Sequence, residues 1–230
     1  MTTRSETGIN ADGTPVHRAS EARSLRTLVF SGWLCLVAGI LGLASAILLI
    51  RIEPSVGVDH FRYPFTPFGF AAAQVWFSVQ HLGLLAGLYG LTRSGAVGTS
   101  RLGRWGAWGA IVGMGLLTVT ELVAISGSDS VRPSTRTDMI GSLYGIATFL
   151  IGGTVILAGM AVIRTGRWQG WRRVLPLILG VFVFVPLTPA LFASYAFARL
   201  AIGGWMLGFA FLGWALINTA QETAPILDTN

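Results

Sequence analysis

Five long apolar stretches, with nearly all of the arginines between them, leave this chain one solvent to fold in. They run Thr27–Ile50, Pro67–Leu91, Leu102–Ile125, Met139–Ile163 and Val174–Ile217. About 20 residues of helix cross the hydrocarbon core of a bilayer, so each stretch is long enough. Charged residues make up 11% of the chain, against about 25% in a soluble domain. All 16 Lys+Arg positions are arginine, and nearly all of them fall between the apolar stretches. The 30 glycines suit helices that must approach closely in lipid, where small residues let backbones pack.

The last stretch is too long for one span. Pro186 and Pro189 lie within it, and proline both removes a helix donor and disfavours helical geometry just before it. The stretch is therefore expected to split into Val174–Val185, with a short extension, and about Phe197–Asn218. The fold class predicted is all-α, a polytopic bundle of six transmembrane helices over residues 25–219. Residues 1–24 are polar and aperiodic and read as a disordered tail, and residues 220–230 read as a second, short tail. A cleavable leader ending near Ala44-Ser45-Ala46 is the competing reading of the first stretch. The long polar approach and the overlong apolar segment argue against it.

Orientation follows from the arginines. With the N-terminus in the cytoplasm, eleven fall inside, among them Arg93, Arg101, Arg104, Arg164, Arg167, Arg172 and Arg173. Five fall outside: Arg51, Arg62, Arg132, Arg136 and Arg199. Arginine favours the cytoplasmic side of short loops, so both termini are expected inside. Trp105, Trp108, Trp168 and Trp171 flank the two inner loops, at the depth where amphipathic rings prefer to sit. Abundant Ala, Gly and Arg with no lysine suggest a GC-rich bacterial genome, hence a bacterial cytoplasmic membrane. The net charge of +6 does not point to nucleic acid, because the basic residues form no patch. The expected partner is the lipid bilayer. Leu91-Thr-Arg-Ser-Gly95 and Ile163-Arg-Thr-Gly166 end the second and fourth stretches alike. A duplicated hairpin and shared positive-inside pressure both account for the echo.

Small residues recur at helical spacing: Cys35, Gly39, Gly42 and Ala46; Gly109 and Gly113; Gly141, Gly145, Thr148 and Gly152; Gly204 and Gly208. Such rows permit close helix contact. Packing within the chain is the simpler reading, and a seam for a homodimer or a membrane-protein partner is the alternative.

Polar groups within spans are costly and therefore candidates for function. Glu121 is the one carboxylate well inside a span. It must be paired, protonated or in contact with water. Arg199 and Arg51 lie on the same side of the membrane, so a structural Glu121–Arg199 or Glu121–Arg51 pair is the simpler reading, and a ligand or ion site is the alternative. Gln74, Ser78 and His81 are spaced i, i+4, i+7, which puts them on one helix face. That face should look into the bundle. A proton relay from His81 toward Glu121 is one reading, and mutual hydrogen bonding of buried polar groups is the other.

The outer loop Arg51–Thr66 carries Asp59, His60 and several aromatics, and the next outer loop carries Asp129 and Asp138. No metal-ligand spacing joins these residues, and no metal or cofactor is expected. Without lysine there is no Schiff base and no P-loop. His81 is the one histidine inside a span, so a bis-histidine haem has no second ligand. No G-x-S-x-G or H-E-x-x-H occurs, and Ser78 with His81 lacks an orienting third group.

The segment Tyr63-Pro-Phe-Thr-Pro-Phe-Gly-Phe, with Gln74 and His81-Leu-Gly-Leu-Leu-Ala-Gly after it, resembles a family of uncharacterised six-span actinobacterial integral membrane proteins. The resemblance implies the topology and no activity. The functional expectation is a non-enzymatic accessory or interaction subunit. The alternative is a small-solute, ion or proton transporter or binding protein, with Glu121, Gln74, His81, Ser78 and Arg199 forming a polar site in the outer half of the bundle.

Overall fold

The computed structural model describes the backbone of residues 16–228 and the side chains of residues 23–223. It is all-helical: α1 (Val16–Leu49), α2 (Pro67–Arg93), α3 (Arg101–Ala124), α4 (Thr135–Thr165), α5 (Trp171–Phe182), α6 (Thr188–Leu191) and α7 (Tyr195–Asp228). Of the expected N-terminal tail, residues 16–24 belong to α1 and residues 1–15 lie outside the described residues. The helix α7 likewise continues through most of the expected C-terminal tail, and residues 229–230 lie outside the described ones.

Among the described residues, five segments are long and apolar enough to cross a membrane: Arg23–Leu49, Arg101–Gly127, Thr135–Thr165, Trp171–Leu191 and Tyr195–Thr223. The helix α2 is not among them. Its 27 residues reach about 40 Å at 1.5 Å per residue, so length is not the obstacle. Gln74, Ser78, Gln80 and His81 lower its hydropathy, and all four are buried.

Local chemistry sets the helix ends. Thr66 caps α2, accepting from Gly69 N at 3.1 Å, with Pro67 following. Ser100 does the same for α3 through Gly103 N. Ser134 and Thr137 form a reciprocal capping box on α4. Such side chains satisfy N–H groups that have no partner in the first turn. At the other end of α4, Gly166 takes φ 63°, the left-handed value that stops a helix at little cost when no Cβ is present.

Pro186 and Pro189 do not themselves end the helix, and the expected split into two helices falls a few residues beyond them, past the short extension. The helix continues from Trp171 to Leu191 through a π-turn at Val183–Leu187. A proline inside an α-helix clashes with the carbonyl four residues earlier, and the wider turn relieves that crowding. The carbonyl of Val183 accepts from both the backbone N–H and the hydroxyl of Thr188. The chain instead reverses at Phe192–Ser194, and Ser194 receives the first amides of α7.

Helices adjacent in sequence pack side by side from α1 to α5, and α7 closes the circuit against α1 and α5. Leu84, Met114, Ile151, Phe209 and Leu212 are fully buried in the shared core. The closest approaches run through glycine. A Cβ on Gly39 of α1 would sit 2.6 Å from Ala210 N and Met206 O of α7. Gly213 faces Gly32 O and the Leu36 amide in return, and Gly106 of α3 abuts the backbone of Thr154 and Ala158. Gly109, Gly113, Gly204 and Gly208 likewise pack within the chain. The row in α4 divides: Gly152 packs against Val183 and Phe184, whereas a Cβ on Gly141 or Gly145 would have nothing within 4 Å among the described residues.

The loops 51–66 and 128–134 are stitched together into a cap. Phe61 N donates to Ser130 O at 3.0 Å and Arg132 N to Asp59 O at 2.8 Å, around an antiparallel bridge of His60 and Val131. Arg62 adds bonds to Ser128 O at 3.0 Å and to Asp129 at 3.3 Å. Beneath the cap, Phe61, Phe70, Ala124 and Ile140 form a small second core. At the opposite end, Arg167 donates to Gly95 O and Arg172 pairs with Glu222 through two bonds of 2.9–3.0 Å.

A side chain at Gly213 would strike backbone, which cannot rotate away. Gly213→Val is expected to lose about 1–3 kcal/mol or more by overpacking, read as a lower unfolding midpoint in mild detergent. Gly145→Val should leave that midpoint unchanged.

Candidate functional site: a buried carboxylate cluster between three helices

The polar face read on α2 is present and points inward. Gln74, Ser78 and His81 are each 5% exposed. Opposite them, α3 contributes Glu121, 7% exposed, and α4 contributes Tyr144. The phenol of Tyr144 donates to Glu121 Oε2 at 2.6 Å, within the range for an O–H donor on a carboxylate. Gln74 Nε2 in turn donates to the Tyr144 oxygen at 3.0 Å. Three helices are thereby joined through one phenol.

His81 approaches the other carboxylate oxygen. Its Nδ1 lies 3.7 Å from Glu121 Oε1, beyond hydrogen-bond length. That Nδ1 is buried and has no hydrogen-bond partner among the described residues. Ser78 shares the face but serves the backbone, donating to Thr118 O of α3 at 3.0 Å.

The expected arginine partners do not pair with Glu121. Arg199 lies over the Tyr195 ring at 4.9 Å and toward Phe77 at 5.9 Å, a cation–π arrangement. Such stacking is available to a guanidinium without moving it to the depth of Glu121. Arg51 is exposed. Among the described residues, no guanidinium reaches ion-pair distance of Glu121. Of the loop acids, Asp59 meets His60 at 3.2 Å and Asp129 meets Arg62.

Two residues were not singled out from the sequence. Tyr144 sits within the glycine row of α4, whose spacing points to packing. A buried tyrosine hydroxyl usually finds a partner, and that rule could have marked it. Gln80 donates to Ser45 Oγ of α1 at 3.0 Å, and Trp76 Nε1 donates to the same oxygen at 2.9 Å. Ser45 belongs to the Ala44–Ala46 segment considered as a cleavage site, and it pins α1 to α2.

The cluster is roofed by the second core. Tyr144 packs both against Phe61, Phe70, Ala124 and Ile140 and against the main core. An ionised carboxylate in such surroundings is expensive unless compensated. Here it has one phenol donor and an imidazole held just out of reach.

Comparison with family models, with characterised proteins and with solved structures gives no match to this chain.

Removing the phenol leaves Glu121 Oε2 without its donor. Tyr144→Phe is expected to cost about 1–3 kcal/mol, the penalty for an unsatisfied buried polar group. Ser78→Ala should cost no more than about 1 kcal/mol, because the Thr118 carbonyl lies within a helix. Detergent unfolding titrations of the two variants check the order.

Proposed function

We propose that this is a multi-pass protein of a bacterial cytoplasmic membrane whose Glu121 cluster binds a small cation and carries it across the bilayer. The reading is of a non-enzymatic transporter or ion-binding protein. One observation carries it: a carboxylate buried between three helices, without a guanidinium partner, facing an imidazole nitrogen that also lacks a partner. A purely structural acid would be expected to end in a closed ion pair or a complete hydrogen-bond set. Ionisable groups retained inside a span mark ion and proton pathways more often than scaffolding.

In this reading α2 is the sixth span. Its length suffices, it lies between the membrane-competent helices α1 and α3, and its polar groups turn away from lipid into the bundle. Six crossings place both termini on one side. The eleven-to-five division of arginines favours that side being the cytoplasm, with the 51–66 and 128–134 loops outside as a closed roof over the site. An even number of crossings is testable by reporter fusions at both ends, which should report the same compartment.

A second reading keeps the protein as an interaction subunit. It rests on Gly141 and Gly145, which nothing among the described residues covers. A membrane-protein partner or a second copy would fill that gap by small-residue packing.

Flux separates the two. In proteoliposomes under an imposed membrane potential, cation or proton entry should be measurable for the wild-type protein. It should fall at least about tenfold in Glu121→Gln, since losing the charge removes the cation's counter-ion. Equal flux in both proteins would remove the transport reading.

A further inference from the structure

We infer that the cation of this site is a proton, held between Glu121 Oε1 and His81 Nδ1, and that its arrival draws these two side chains together. The inference rests on the proposed cation-binding role of the cluster and names its ligand.

The geometry decides between a proton and a metal cation. Hard cations need a cage of several oxygens. Here one carboxylate oxygen and one imidazole nitrogen face each other. The nearby hydroxyls direct their hydrogens elsewhere: Ser78 to Thr118 O, Thr118 to Met114 O, and Tyr144 to the other carboxylate oxygen. A proton needs only the two facing atoms.

Those two atoms stand 3.7 Å apart. With the hydrogen of the neutral imidazole on Nε2, a carboxylate oxygen and the Nδ1 lone pair face each other and have no bond to make. One proton supplies it. Whether it rides on Nδ1 or Oε1, the result is a single hydrogen bond, for which about 2.7–2.9 Å is the usual length. The pair would shorten by about 1 Å. The cluster's net charge would change from minus one to zero, the cheaper state in a low-dielectric interior. No covalent bond is made or broken beyond the transfer of that proton from solvent.

Other charged and titratable groups around the pair are already placed. From α4 comes Tyr144, bound to Glu121 and Gln74. From α7 come Arg199 and Tyr195, stacked on each other beside Phe77 of α2. From α1 comes Cys35, whose thiol donates to Phe209 O. The cap adds Arg62, turned to Ser128 and Asp129, and Arg132, lying over Phe61. None of these stands between Oε1 and Nδ1.

Proton uptake can be counted directly. Purified protein in nanodiscs, in weakly buffered solution with a pH-indicator dye, is given an acid pulse. The wild-type protein should take up a proton per chain that both Glu121→Gln and His81→Gln fail to take up. Tyr144→Phe, which leaves both atoms in place, should keep the uptake with a midpoint moved by up to about one pH unit. It guards against loss through misfolding. Equal uptake in the wild-type protein, Glu121→Gln and His81→Gln would overturn the proton assignment. Exchange of choline chloride for sodium chloride then separates the two claims. Sodium stabilisation of the wild-type protein, absent in Glu121→Gln, would leave cation binding standing with sodium as ligand. No response to either cation would end both.

Discussion

A hydrocarbon environment offers no hydrogen bonds, so every polar group that enters it must be answered from within the protein. That requirement organises this molecule. It makes the backbone helical throughout, because a helix satisfies its own amides and carbonyls. It turns the polar face of α2 inward, where Gln74, Ser78 and His81 meet α3 and α4. It also explains why α2, the one long helix that falls short of the others in hydropathy, has its polar residues buried. A uniformly greasy helix would have had nothing to offer its neighbours but packing.

Packing is nonetheless how the remaining helices cohere. Between α1 and α7, and between α3 and α4, glycine lets backbone meet backbone. In lipid this is the dominant attraction available, since burying apolar surface gains little when the surroundings are equally apolar. The cluster around Glu121 adds directional ties to that background. Tyr144 is its hinge point, reaching the carboxylate, the amide of Gln74 and the aromatic roof at once. The roof is itself fastened by main-chain bonds between two loops far apart in sequence. The cation–π pairing of Arg132 with Phe61 lies across the same junction.

Much of this was legible in the residues. Helix positions followed from apolar run length, and the inward face of α2 followed from the i, i+4, i+7 spacing. What escaped did so for physical reasons. The partner of Glu121 was sought among arginines by charge, but Arg199 found aromatic rings nearer to hand, and stacking partners have no sequence period. Tyr144 lay in a row read for its glycines. The glycine row itself was half right, because spacing puts residues on a face but does not say what that face meets. Gly152 meets Val183 and Phe184 of the π-turn, and Gly141 and Gly145 meet nothing among the described residues. The split of the last stretch was legible from its prolines, but the path of the short extension past Val185 was not: it runs through a widened turn, since an extra residue in the spiral accommodates a proline as well as a break does.

That widened turn also settles an angular problem. Leu175, Leu179, Val183 and Leu187 are all buried, at intervals of four. An ordinary helix advances about 100° per residue, so each interval of four overshoots a full circle by about 40°. Over three intervals the drift would swing Leu187 toward the lipid. The slower winding between Val183 and Leu187 takes back part of that rotation. One strained-looking turn thus works as a phase corrector, keeping a single seam of side chains aimed at the core from one end of the segment to the other.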